Sequence, residues 1–143
     1  MKKKLILCLG NEIAGDDGVG IYIARAITGR VKDWDVKESN KAGFYLLEDM
    51  EGYEEVLIVD SIISSEGEEG EILEGEITSG GAGVSPHSLS ISETLQVGKV
   101  MGLVLPSKVK FMAIRIRPPS FSTELSPRIR EAAHRIIQKL TSL

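Results

Sequence analysis

The sequence predicts an α/β protein in which a mostly parallel sheet carries helices on both faces. Three observations lead there. Short apolar runs alternate with helical patterns along the chain. The clearest runs, residues 5–9 and 56–59, are continuous rather than alternating, as strands covered on both faces are. The last helical pattern is apolar on one side only, so it packs on a sheet rather than standing alone. With 143 residues, no internal repeat and no second domain in evidence, residues 1–143 read as one domain with its own core.

Taken in order, Leu5-Ile6-Leu7-Cys8-Leu9 reads as a buried first strand. The basic start Met1-Lys2-Lys3-Lys4 invites a signal-peptide reading. The apolar run is too short for one, however, and it gives way to Gly10-Asn11-Glu12 without a small-residue cleavage site. Residues 18–31 carry a helical stripe of Val19, Ile23, Ala26 and Ile27. Val36 marks a short strand at 33–38, and residues 43–50 a short helix with Leu46, Leu47 and Met50 apolar. Val56-Leu57-Ile58-Val59 is the second buried strand, ending at Asp60-Ser61. Residues 71–77 form an edge strand, with Ile72 and Ile77 among glutamates. The acidic stretch from Glu66 to Glu76 reads as a solvated loop and a charged edge that resists strand addition, with attraction of a basic partner segment as the weaker alternative. Gly80-Gly81-Ala82-Gly83 is a flexible connector into a helix at 88–103. Residues 109–116 are the last strand, stopped by Arg117-Pro118-Pro119. Ser126-Pro127 opens the final helix, the serine as N-cap and the proline in the first turn. Its apolar side is Ile129, Ala132, Ala133, Ile136, Ile137 and Leu140.

Composition narrows the function classes. A net charge of −4 without a dense basic patch argues against a nucleic-acid binder. Cys8 is the only cysteine, which excludes an intramolecular disulfide and a Cys-rich zinc site and suits a reducing, cytoplasmic location. No apolar stretch approaches the ~20 residues of a membrane span.

Three places carry chemistry-bearing residues. Gly10 to Gly20, with Asp16-Asp17-Gly18-Val19-Gly20 at its end, joins the first strand to the first helix. The spacing is wrong for a dinucleotide loop, and two aspartates would repel a pyrophosphate. They attract a cation or work as acid and base. Alternatively, Asp16 caps the helix and Asp17 favours its dipole. Asp60 ends the second buried strand, where α/β enzymes place working groups, although a lone carboxylate there also serves as a turn cap. His87, in Ser85-Pro86-His87-Ser88, stands at the start of a helix after a glycine-rich connector. His134 lies on the polar side of the last helix and is expected to be solvated. Asp17, Asp60 and His87 together would make a three-ligand site with open coordination positions, of a kind that suits zinc, nickel and related divalent ions. There is no His-Glu-x-x-His and no Gly-x-Ser-x-Gly, and Cys8 reads as a buried, inert thiol.

This order of motifs resembles the hydrogenase maturation endopeptidases, which process the large subunit of nickel–iron hydrogenases. The resemblance rests on Gly10-Asn11 through Asp16-Asp17-Gly18-Val19-Gly20, the strand ending in Asp60, Ser85-Pro86-His87 before a helix, and Leu125-Ser126-Pro127 after the last strand. It covers nearly the whole chain. It implies a three-layer sandwich with a twisted five-stranded sheet, and metal binding by Asp17, Asp60 and His87. It also implies removal of a C-terminal extension from the large-subunit precursor once nickel is inserted. The nickel would then be supplied by the substrate, with other divalent ions able to substitute. The expected partner is that precursor, with no nucleic acid and no membrane, and the working form a monomer. The rival reading is a nickel-sensing or nickel-carrying maturation factor that does not cut.

Three features depart from the family pattern. Many members carry Glu at the position of Asp17, one methylene longer. The segment Glu38-Ser39-Asn40-Lys41 replaces an Asp-Gly-Gly-Thr type of loop, and Glu69-Gly70 replaces a Pro-Gly.

Overall fold

The computed structural model describes residues 3–77 and 86–143, with the side chains of residues 86–90 outside the description. Its sheet contains β1 (Lys4–Leu9), β2 (Asp35–Ser39), β3 (Glu55–Ile63), β4 (Ile72–Ile77) and β5 (Lys108–Ile116), in the order β2-β1-β3-β5-β4. Every neighbouring pair is parallel except β4, which runs antiparallel to β5 along one edge. The helices are α1 (Val19–Ile27), α2 (Leu46–Met50), α3 (Pro86–Val100) and α4 (Pro127–Thr141). The predicted five-stranded, mostly parallel sheet between helices is the one observed. Among the described residues no helix is long and apolar enough to cross a membrane.

Strand alternation divides the core in two. Ile6, Cys8, Leu57 and Val59 point to one face and pack under α1 and α4. Leu5, Leu7, Val56, Ile58 and Ile62 point to the other, toward α2 and α3. This is why Leu5 to Leu9 is apolar at every position: both faces of β1 are covered.

Four boundaries differ by about three residues or more from the sequence expectation. Helix α1 ends at Ile27 rather than 31, because the chain turns through Gly29 at φ +78°. Val31 then packs on the same core from the loop. The helix expected at 43–50 is a 3₁₀ turn, Gly43–Tyr45, leading into α2. Helix α3 ends at Val100, ahead of Gly102 at φ +84°. Strand β3 does not end at Asp60 but runs on to Ile63, because β5 keeps pairing with it as far as Ile63 opposite Ile116. What ends there is β1, whose pairing with β3 stops at Cys8 opposite Val59. The connector 80–83 lies outside the described residues.

Candidate active site

Between β1 and β3 the chain changes direction across the sheet. It leaves β1 for β2 on one side and returns to β3 on the other. In open α/β sheets such a switch opens a crevice at the carboxyl ends of the strands. The segment from Gly10 to Gly18 fills the mouth of that crevice.

Its glycines let it come so close. The Gly10 N–H donates to the Ser39 carbonyl, at 3.1 Å. A Cβ on Gly10 would stand 2.5 Å from the Asp17 carbonyl oxygen. At Gly20 a Cβ would collide with the Leu9 carbonyl oxygen, so only glycine lets the first turn of α1 cross the end of β1. The loop then closes on itself: Asn11 N–H donates to Asp17 O, and Asp17 N–H to Ala14 O, both at 3.1 Å. Asp17 is held by this backbone in the 3₁₀ turn Gly15–Gly18.

Its side chain reaches β3. The Ser61 hydroxyl donates to Asp17 Oδ1 at 2.7 Å, and the Ser61 N–H donates to Asp60 Oδ1 at 2.7 Å. Ser61 therefore couples the two carboxylates. It follows Asp60 in a strand, so it faces the α1 side, from which Asp17 descends, while Asp60 shares the α3 face with Ile58 and Ile62. Asp60 is 8% exposed, a carboxylate sunk at the crevice floor. The sequence reading missed Ser61; the available signal was its place next to Asp60 on the opposite face of the strand.

His87 falls in the first turn of α3, the helix that covers the Asp60 face. Its side chain lies outside the described ones. Among the described residues, no three His, Cys, Asp or Glu side chains converge as a metal-binding group.

Asp16 does something else. Neither the 3₁₀ turn nor α1 has a side-chain cap, so the expected N-cap role does not hold. Asp16 instead accepts from the Ser126 N–H at 2.7 Å and from the Ser126 hydroxyl at 2.9 Å. Ser126 occupies the N-cap position of α4 with Pro127 behind it, as expected, but its hydroxyl is spent on Asp16 and not on its own helix. A parallel bridge between Ala14 and Ser122 fastens the same two loops together.

The start of the same loop borders a cleft of about 470 Å³, walled by Asn11 and Glu12 on one side and by Glu38, Asn40 and Lys41 on the other, which neither Asp17 nor Asp60 lines. Arg25 bridges the walls, donating to Glu12 at 2.8 Å and to Glu38 at 3.1 and 3.3 Å. Asp49 also lines the cleft, and its Oδ2 is buried without a hydrogen-bond partner among the described residues. Such an acceptor is costly to leave unmade and is suited to a donor brought by a ligand.

Cys8 is fully buried, and burial, followed by the charges of Glu38 and Asp60, pushes its thiol up to about 12. It stays protonated and is no nucleophile. His134 is exposed but not free: its Nε2 lies 2.8 Å from the Tyr22 hydroxyl, and the two rings stack.

A family model described as HycI, hydrogenase maturation protease, matches residues 21–143. That span includes Asp60 and His87 and begins just after the glycine-rich turn. No curated protein matches the chain. Among solved structures, the hydrogenase maturating endopeptidase HybD from E. coli is similar, with a TM-score of 0.76 at 23% identity, covering 97% of this chain and 89% of that one. The [NiFe] hydrogenase maturation protease HybD from Thermococcus kodakarensis gives 0.74 at 23%, covering 97% and 96%. The hydrogenase 2 maturation peptidase from a Thaumarchaeota archaeon gives 0.73 at 24%, covering 99% and 97%. At these identities the structural likeness speaks for the fold.

Proposed function

Because the chain belongs to the hydrogenase maturation protease family, and is thus an endopeptidase that processes a hydrogenase large subunit, we propose how it does so. The chain, as one 1–143 domain, removes a C-terminal extension from the nickel-loaded precursor of a nickel–iron hydrogenase large subunit. Asp17, Asp60 and His87 together grip the nickel that the precursor carries. The ion belongs to the substrate, and other divalent ions can take its place.

The observation that supports this most is the pair of carboxylates coupled through Ser61 at the switch point of the sheet. One is half-buried and the other sunk at the floor. Negative oxygens held this way suit a divalent cation, and an imidazole from the first turn of α3 would complete a set with open positions for substrate atoms. The adjoining cleft suits an extended peptide, whose N–H groups would satisfy the orphaned Asp49 Oδ2. A maturation factor that only senses nickel is not favoured for a member of a protease family.

The deciding experiment mixes the purified protein with nickel-loaded precursor and with nickel-free precursor, and weighs the products by mass spectrometry. The expected result is a shortened large subunit only in the nickel-loaded sample. A stable complex without cleavage would overturn the reading. Metal content is a separate check: a grip that depends on the substrate's ion predicts that the isolated protein, working as a monomer, keeps no chelator-resistant metal. Stoichiometric tightly bound metal would overturn that part.

A further inference from the structure

The most prominent surface feature outside the site lies on the α2/α3 face. Phe44 is 62% exposed, Tyr45 73% and Met101 66%. Together with Val97, one helical turn before Met101, they line a single groove of about 560 Å³. Monomeric proteins rarely leave aromatic and methionine side chains grouped in the open, and such groupings mark interaction surfaces.

Two observations identify the occupant. The first is position. Residues 38–41 wall the cleft next to the glycine-rich loop that carries Asp17, and Phe44 and Tyr45 follow within a few residues of chain. Lys41 of the cleft pairs with Glu48 of the groove at 3.8 Å, so cleft and groove are neighbours. Whatever places a chain end in the cleft must lay its body close to the groove. The second is charge. Glu48 and Glu51 line the groove, and no lysine or arginine does among the described residues. A second copy of this chain docked about a two-fold axis would press these carboxylates against themselves.

We propose that this groove docks the folded body of the protein whose tail is cut, through an apolar patch edged by lysine or arginine. This rests on the functional reading above. Docking that touches none of the reacting atoms binds ground state and transition state alike, so it acts on KM and leaves kcat alone.

The test compares the wild type with Phe44→Ser/Met101→Ser and with Glu48→Lys/Glu51→Lys, all at exposed positions and checked by thermal melting. Processing of nickel-loaded precursor is followed across its concentration, alongside direct titration of fluorescently labelled precursor. Both variants should show KM and Kd raised about tenfold or more with kcat within about twofold, since truncated anchors at an interface each cost a factor of this size. Unchanged KM and Kd would overturn the docking site, as would a loss confined to kcat. A concentration-dependent dimer of the wild type, abolished in both variants, would assign the groove to a second copy and also overturn it. The two readings fail separately. A wild type that binds but never cuts removes the proteolytic reading and leaves the docking site, whereas a wild type that cuts no better than the groove variants removes only the docking site.

Discussion

The two faces of the sheet are finished differently. On the α1/α4 face, Val19, Ile23, Ile27, Ile129, Ala132, Ile136 and Leu140 are each at most 1% exposed. On the α2/α3 face, Ile91 and Leu95 are buried, but Val97 and Val100 further along the same helix, and Met101 just past its end, remain exposed beside Phe44 and Tyr45. The first face spends its apolar side chains on folding. The second leaves part of them for something outside the chain. The carboxylate pair stands on the seam, with Asp17 arriving from the α1 side and Asp60 facing the α3 side.

The largest effects are expected on that seam. Asp17→Asn, Asp60→Asn and His87→Ala should each lower processing of nickel-loaded precursor at least ~10³-fold, about 4 kcal/mol of barrier. Each removes charge or a ligand from the ion's field while leaving the apolar core intact. Circular dichroism should show the fold unchanged. Full activity in any of the three would break the assignment of the seam to catalysis.

Next comes the contrast between the faces themselves. Ile136→Ala on α4 should cost ~2–5 kcal/mol in urea denaturation, as buried isoleucine truncations do. Val100→Ala on α3, at 85% exposure, should stay within about 0.5 kcal/mol. Similar losses at the two positions would dissolve the comparison.

A smaller effect separates the two adjacent aspartates. Asp16→Asn keeps an acceptor for the Ser126 N–H, and its amide N–H can donate to the Ser126 hydroxyl instead of accepting from it, so the loss of the charge should cost about 1 kcal/mol of stability. Processing should fall far less than in Asp17→Asn. Equal loss of activity in both would mean that Asp16 also serves the reaction.

On processing, the smallest effect belongs to Cys8. Cys8→Ala should cost about 1 kcal/mol and leave processing measurable. The thiol is raised from 9.0 to about 12 by burial, so the folded state holds this proton more tightly than the unfolded one. Its contribution is therefore complete below pH 9 and is lost as pH rises toward 12. Tyr53, raised to about 12 by burial and by its bond to Asp35, acts in the same direction. Alkaline melting curves of the wild type should fall more steeply than those of Cys8→Ala. Lost activity in Cys8→Ala at an unchanged melting temperature would point to thiol chemistry instead.

The sequence by itself determined the layered fold, because each signal behind it is local. Continuous apolar runs such as Leu5 to Leu9 and one-sided stripes such as that of α4 state their burial without knowledge of their partners. The closeness of Asp17 and Asp60 to the point where β1 leaves β3 was legible for the same reason, through motif order. Tertiary structure decided how the chain uses these residues. Asp16 looks like a cap in sequence, yet its partner Ser126 is far along the chain, and a hydrogen bond across that separation leaves no local pattern. Where β3 appears to stop depends on which neighbour is asked: β1 leaves at Val59, while β5 continues to Ile63. Ser61 became a coupler of carboxylates only once that longer strand turned it toward the loop carrying Asp17. The exposed groove was equally hidden, because Val97 and Met101 keep helical spacing whether or not anything covers them. Periodicity records which side chains share a face, and only packing determines what that face meets.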